Sequence, residues 1–341
     1  MITLREMAEI AGVSISAVSK ALNNSSDINR ETREKILTIA KARGYIKKQK
    51  NGFIKVTNSN RPMTIAIIYS DIVSNYYTKL LEEFDKRISE MGGIMLMSSA
   101  QFKTERIIEL CNFYQNTGIV DAIILISPFN SFGQIPATNI PMIGISYPSN
   151  EYHEFDYLCV DDAIGIADGI AKLKSLGHTK IAYFGEKYTW YRQQYFENAM
   201  KACKLKVFSS LIFVSTEERF EKAGYDTATR MLKQGNIPTA IFASYDDVAL
   251  GAAEVLKASG YRIPEDISIC GIDYTQRQVI PGMPISSVNC HIETQVDIAI
   301  NTLLRKIAND NKLTTTAVQN INLKTEFMIT NSIGPARVNN C

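Results

Sequence analysis

The chain has 341 residues, 45% of them hydrophobic and 21% charged, with a net formal charge of +2. That balance excludes a disordered or fibrous chain, and the length leaves room for two or three domains with their own cores. The longest apolar runs, 64–69 and 122–126, are strand-sized, well below the ~20 residues that span a bilayer, and the segment Met1–Glu9 is charged where a secretion signal would be apolar. No membrane segment and a cytoplasmic location are expected.

Charge is unevenly spread: residues 1–60 carry a formal +6 and the remainder −4. A basic module ahead of a mildly acidic body points to an anionic polymer as its partner. The opening segment reads as three short helices. Thr3 can cap a helix over Leu4–Ala11, Gly12-Val13-Ser14 makes a turn, and Ser14 caps a second helix over Ile15–Leu22. Asn29 can cap a third, Arg30–Arg43, ended by Gly44. This is the layout of a helix-turn-helix.

At 100° per residue, Val18, Ala21 and Leu22 share one arc of the second helix, and Ser16, Lys20 and Asn23 the opposite one. One face packs and the other is presented to DNA. Lys20 is placed to donate to guanine, Ser16 to pair with base edges, and Ile15 to touch a thymine methyl. Thr3, Ser14, Ser19 and Asn23 suit phosphate contacts, which set register.

Residues 46–61 are polar and non-periodic, a linker. Beyond Pro62 the chain alternates strand-like runs (64–69, 94–98, 121–126, 141–145, 180–184, 210–214, 238–243, 267–271) with helical stretches (76–91, 104–116, 163–176, 191–204, 219–234, 247–259, 293–309). Repeated βα units imply parallel sheets covered by helices. Some 270 residues of this pattern fit two doubly wound sheets, whose ligands bind at the carboxyl ends of the strands, in the cleft between them.

No phosphate-binding loop, dinucleotide fingerprint or nucleophile elbow is present. The six cysteines show no Cys-x-x-Cys pairing, which argues against structural zinc and a disulfide framework and for buried thiols. No cofactor, metal or catalytic residue is expected. His178, after Gly177, reads as a helix terminus whose ring bonds the last carbonyls. Asp161-Asp162 and Asp246-Asp247 read as helix caps after strands, with an acid–base or metal role as the alternative. Tyr76-Tyr77 either stack on a ligand in the cleft or pack in the core.

The run from Ile2 to Ser14, with Ala17-Val18-Ser19-Lys20-Ala21-Leu22-Asn23 and Thr32-Arg33-Glu34-Lys35-Ile36, resembles the lactose/galactose repressor (LacI/GalR) family of bacterial transcription regulators. The body adds Leu176–Ala182, Pro238–Ala243, Asp247–Ala252, Ile263–Ser268 and Gly271-Ile272-Asp273. The resemblance implies a small all-α helix-turn-helix head (1–45), a hinge (46–62), and an α/β body like periplasmic sugar-binding proteins (63–333), followed by a tail (334–341). In that body, lobe 1 would span about 63–159 and 292–322 and lobe 2 about 160–291 and 323–333, with three crossings between them. It further implies a homodimer, or a tetramer, on a pseudo-palindromic double-stranded operator, most often repressing, with a small effector such as a sugar in the cleft.

Carried onto this chain, the effector contacts are Tyr76, Tyr77, Ser146, Arg192, Gln194, Tyr245 and Asp273. Gln194, Tyr245 and Ser146 stand where the family often has Arg, Asn and Asp, so fewer charge-assisted bonds to a polyol are expected. In the hinge, Lys47–Ile54 replaces Pro-Asn-x-x-Ala-Arg-x-Leu, with Ile54 in register with the leucine that enters the minor groove and Phe53 as the other candidate wedge. Two readings from other classes are a small-molecule (sugar) binding protein without a DNA role, against which the basic head argues, and an enzyme on the same body.

Overall fold

The computed structural model describes residues 4–22, 28–29, 32–36, 39, 61–70, 72–126, 134–135, 138–148, 154–275, 284–309 and 317–337. The chain divides into two compact units, residues 1–52 and 53–341.

In the first unit, α1 (Leu4–Ala11) and α2 (Ile15–Leu22) are joined at Gly12. Its φ of 70° is a turn that a side chain would strain. The Val13 amide donates back to the Ala8 carbonyl at 3.0 Å, and Ser14 Oγ accepts from the Ala17 amide at 3.1 Å, which caps α2. Residues 32–36 are also helical. Ala8, Ala11, Val18, Ala21 and Ile36 pack together, so the apolar arc of α2 is buried at Val18 and Ala21. Lys35 Nζ donates to the Ala11 carbonyl at 3.0 Å, satisfying an acceptor that the end of α1 leaves open.

The second unit contains two six-stranded sheets. The first is built from β1 (Thr64–Tyr69), β2 (Ile94–Ser99), β3 (Ala122–Ile126), β4 (Met142–Ser146), β5 (Asp156–Asp161) and β11 (Asn320–Lys324). Their spatial order is β11-β5-β4-β3-β1-β2, every pair parallel. Helices α3 (Asn75–Glu90), α4 (Thr104–Thr117) and α9 (Ile292–Asn309) cover it. The second sheet holds β6 (Ile181–Glu186), β7 (Ile212–Ser215), β8 (Ala240–Ala243), β9 (Ser268–Asp273), β10 (Ser286–Asn289) and β12 (Glu326–Met328). Its order is β12-β10-β9-β8-β6-β7, parallel except for β12 against β10. Helices α5 (Asp162–Ser175), α6 (Trp190–Ala202), α7 (Phe220–Gln234) and α8 (Asp246–Ala258) belong to this lobe.

Both sheets share the 2-1-3-4-5 winding whose switch point lies beside the first strand. Central strands are apolar throughout because helices cover both faces: Ile65, Ala66, Ile67 and Ile68 are all buried. Helices α7 and α8 approach so closely that a Cβ on Gly251 would lie 2.1 Å from the Glu221 carbonyl oxygen, and one on Gly224 2.3 Å from that of Val248.

All seven helices expected in the body are present, their ends within two residues of the expected ones. Four strands escaped the sequence reading: β5, β10, β11 and β12 are short or rich in Ser, Asn and Asp. The chain passes between lobes at Asp161–Asp162, Cys290–Ile292 and Lys324–Glu326. The first and third crossings lie about two residues beyond the expected ones, because β5 pairs as far as Asp161 and β11 as far as Lys324.

Candidate functional site

The carboxyl ends of both sheets face one cavity of about 50 Å³, lined from both lobes. Lobe 1 contributes Tyr76 and Tyr77 from the first turn of α3, Ile126 at the end of β3, and Ser146 and Tyr147 where β4 runs out. Ser74 sets that turn by accepting from the Tyr77 amide at 3.1 Å. Lobe 2 contributes Asp162, Tyr191, Arg192, Phe220, Tyr245, Asp273 and Cys290, each at the carboxyl end of a strand or the start of the following helix.

Arg192 organises the lobe 2 wall. Nε donates to Asp162 Oδ2 at 2.7 Å, Nη2 to Asp273 Oδ1 at 3.0 Å, and Nη1 to the Ser244 carbonyl at 2.6 Å. Its guanidinium also lies 4.8 Å from the Tyr245 ring centroid, a cation–π distance. Burial opposes charge on this arginine, but Asp162 and Asp273 outweigh it and hold the guanidinium protonated well above its ordinary range. Burial pushes the Asp273 carboxyl well above its ordinary range, against the pull of Arg192. Cys290 points its thiol at Asp162 Oδ1, 3.6 Å away.

Aromatic rings make up much of the remaining wall. Tyr147 stacks on Tyr191 with centroids 4.6 Å apart, and Tyr76 meets Tyr77 edge-on at 5.4 Å. The Tyr76 hydroxyl donates to Gln295 Oε1 at 2.8 Å, and Gln295 in turn donates to the Cys290 carbonyl. The hydroxyls of Tyr77, Tyr191 and Tyr245 make no hydrogen bond to another described residue. Burial pushes all three phenols well above their ordinary range, so they stay neutral. Such a wall offers ring faces, hydroxyls and carboxylate acceptors to a ligand rich in hydrogen-bond donors.

Residues 3–48 match the family described as bacterial regulatory proteins, lacI family, and residues 170–325 match a periplasmic binding protein-like domain. Similar proteins include the HTH-type transcriptional regulator DegA of Bacillus subtilis, 29% identical over 300 residues, 84% of this chain and 86% of DegA. The HTH-type transcriptional repressor PurR of Haemophilus influenzae is 26% identical over 337 residues, 91% of this chain and 92% of PurR. The chain belongs to the LacI family of bacterial regulatory proteins.

It is accordingly a transcriptional regulator of the LacI family. Solved structures agree on its fold. A lac repressor dimer bound to operator and the anti-inducer ONPF aligns with a TM-score of 0.66 at 19% identity, covering 97% of this chain and 98% of that one. A CelR–cellobiose complex aligns with a TM-score of 0.65 at 23% identity, covering 97% and 100%.

Of the expected effector contacts in this LacI-family body, Tyr76, Tyr77, Ser146, Arg192, Tyr245 and Asp273 all line the cavity. Gln194 does not: it is exposed on α6, rotated about 200° from Arg192. Asp162, absent from the expected contacts, adds a carboxylate to the wall beside Arg192 and Asp273. Asp162 was missed because Asp161-Asp162 reads as a capping pair. Asp161 alone caps, accepting from the Ala163 amide at 3.0 Å, and its neighbour turns to Arg192.

Asp246-Asp247 also departs from the capping reading. Tyr245 takes the N-cap position without a side-chain bond. Asp246 accepts from the Thr275 amide at 2.9 Å and from Ser287 Oγ at 2.5 Å, and Asp247 accepts from the Asn75 amide of lobe 1 at 3.3 Å. His178 bonds Thr239 Oγ1 and the Gly334 carbonyl, a structural role, though not to the carbonyls of its own helix. Cys111, Cys159, Cys270 and Cys290 are buried thiols and Cys203 is partly exposed.

In the LacI-family head, Ile15, Ser16 and Lys20 are exposed, while Ser14 is engaged as the α2 cap. Thr3, Asn23 and Ile54 lie outside the described residues, as does the side chain of Ser19. Among the described residues no helix is long and apolar enough to cross a membrane, and no group of three or more His, Cys, Asp or Glu could hold a metal.

Proposed function

We propose that this chain is a cytoplasmic repressor that binds a pseudo-palindromic operator as a homodimer and is controlled by a small, neutral, hydroxyl-bearing metabolite in the interlobe cleft. The observation that carries the DNA reading is the division of α2: Val18 and Ala21 are buried against the head while Ser16 and Lys20 face outward. Lys20 then reads a guanine and Ser16 a neighbouring base edge, with Ile15 against a thymine methyl. Ser14, Thr3, Ser19 and Asn23 contact phosphates, and Ile54 enters the minor groove.

The cleft supports the effector part of the reading. Arg192 is already engaged by Asp162, Asp273 and the Ser244 carbonyl, so a carboxylate or phosphate on the ligand would have to compete with those partners for the guanidinium. Hydroxyl donors find Asp273, Asp162 and the tyrosine hydroxyls. Tyr76, Tyr77, Tyr245 and Ser146 complete the contacts.

The test is to capture fragments of the source genome on purified full-length protein, sequence them, and then screen metabolites for release or tightening. Enrichment of a shared inverted repeat supports the reading. Indiscriminate capture, or strong metabolite binding with no effect on DNA, overturns it in favour of a small-molecule-binding protein.

A further inference from the structure

Beside the cleft, one ring from lobe 1 is clipped onto a charged ring stack in lobe 2. Phe102, just past β2, stacks on Tyr188, just past β6, with centroids 5.5 Å apart and planes 10° from parallel. The Arg219 guanidinium lies 5.2 Å from the Phe102 centroid, 5.0 Å from that of Tyr188 and 4.3 Å from that of Phe220. Phe220 is itself a wall of the cleft.

Arg219 is fixed from within its own lobe. Its Nε donates to Glu186 Oε1 at 3.1 Å, and that carboxylate, fully buried at the end of β6, also accepts from the Phe220 amide at 3.2 Å. The cation therefore cannot leave with lobe 1. Phe102 is the component that can, and it is presented by two successive left-handed residues, Gln101 at φ 52° and Phe102 at φ 61°. L side chains take that conformation only when surrounding contacts hold it.

We propose that Phe102, Tyr188 and Arg219 form an interlobe latch that holds the closed arrangement of the two lobes. Cation–π and stacking attractions cooperate here: Arg219 polarises both rings, and Glu186 keeps it in place. The latch concerns the lobes alone and does not depend on what the cleft binds.

A cross-lobe reporter is built in. The Asn75 amide, at the first residue of α3, donates to Asp247 of lobe 2 at 3.3 Å, and its side-chain amide donates to the same carboxylate. Its hydrogen exchange therefore follows lobe separation. In full-length protein, Phe102→Ala and Tyr188→Ala should each speed exchange at Asn75 roughly three- to tenfold, with the β1 amides unchanged. The double variant should be no faster than the faster single. Arg262→Ala, which removes only an exposed pair with Asp266, should leave Asn75 at the parent rate.

Unchanged exchange at Asn75 in both single variants overturns the latch, as do increases that multiply in the double variant. If Phe102→Ala also loosens β1, Phe102→Leu decides. It keeps the apolar bulk without the ring face, so faster exchange at Asn75 with β1 intact supports the latch, and parental exchange refutes it.

Discussion

Arg192 Nε and Asp162 Oδ2 lie 2.7 Å apart with their side chains only 7% and 3% exposed. The pair joins the helix that follows β6 to the first residue after a lobe crossing. Two charges so deeply placed are tolerable only together.

Replacing Arg192 with Met should leave Asp162 and Asp273 buried side by side and destabilise the body by about 3–5 kcal/mol. Asp162→Asn keeps an acceptor for Nε and should cost less. Urea unfolding at pH 7 measures both; a Met variant as stable as the parent would show that the buried charges are not mutually dependent.

Lys20→Ala should weaken binding to the specific operator by ~1–3 kcal/mol and relax base preference at one position in each half-site. Binding-site selection with both proteins at fixed salt reads the change. An equal loss on specific and random DNA would instead make Lys20 a phosphate contact.

The α7–α8 contact predicts sensitivity at Gly251. A methyl there meets the Glu221 carbonyl at 2.1 Å, and backbone cannot rotate out of the way as a side chain can. Gly251→Ala should cost at least ~1–3 kcal/mol, as overpacking does, visible as a lower thermal midpoint. A neutral outcome would mean that the two helices slide apart at little cost.

Asp246 makes stability depend on pH. Burial pushes its carboxyl up to about 7, against the pull of its Ser287 and Thr275 hydrogen bonds, whereas an unfolded Asp titrates near ~3.9. Between those values the native state holds a proton that the unfolded chain has released, so stability falls as pH rises through the window and levels off above it. Asp246→Asn removes the titration. Urea midpoints from pH 4.5 to 8 should show the parent losing ground to the variant until about pH 7 and then running parallel; a constant gap would argue against a protonated Asp246.

Helices such as α3 were legible from a one-sided apolar stripe, Tyr77, Leu80, Leu81, Phe84 and Ile88, and the central strands because they are continuous apolar runs. Strands such as Asn320–Lys324 were not, since an Asn-Ile-Asn-Leu-Lys edge strand buries little and its pairing with β5 joins residues more than 160 positions apart. The cleft was legible in part. Tyr77 stands in the first turn of the helix after a readable strand and Asp273 at the end of another, whereas Asp162 hid beside a capping aspartate. Gln194 drew attention by its neighbours in sequence, yet a helix turns two consecutive steps away from the surface that Arg192 faces.

The three crossings at Asp161–Asp162, Cys290–Ile292 and Lys324–Glu326 all lie close to the charged cluster. A swivel of one half against the other about these crossings would displace atoms least around Asp162 and most at the far ends of the sheets. A rearrangement of tenths of an ångström among Asp162, Arg192 and Cys290 is thus geared up by the length of each half into a movement many times larger at its outer edge.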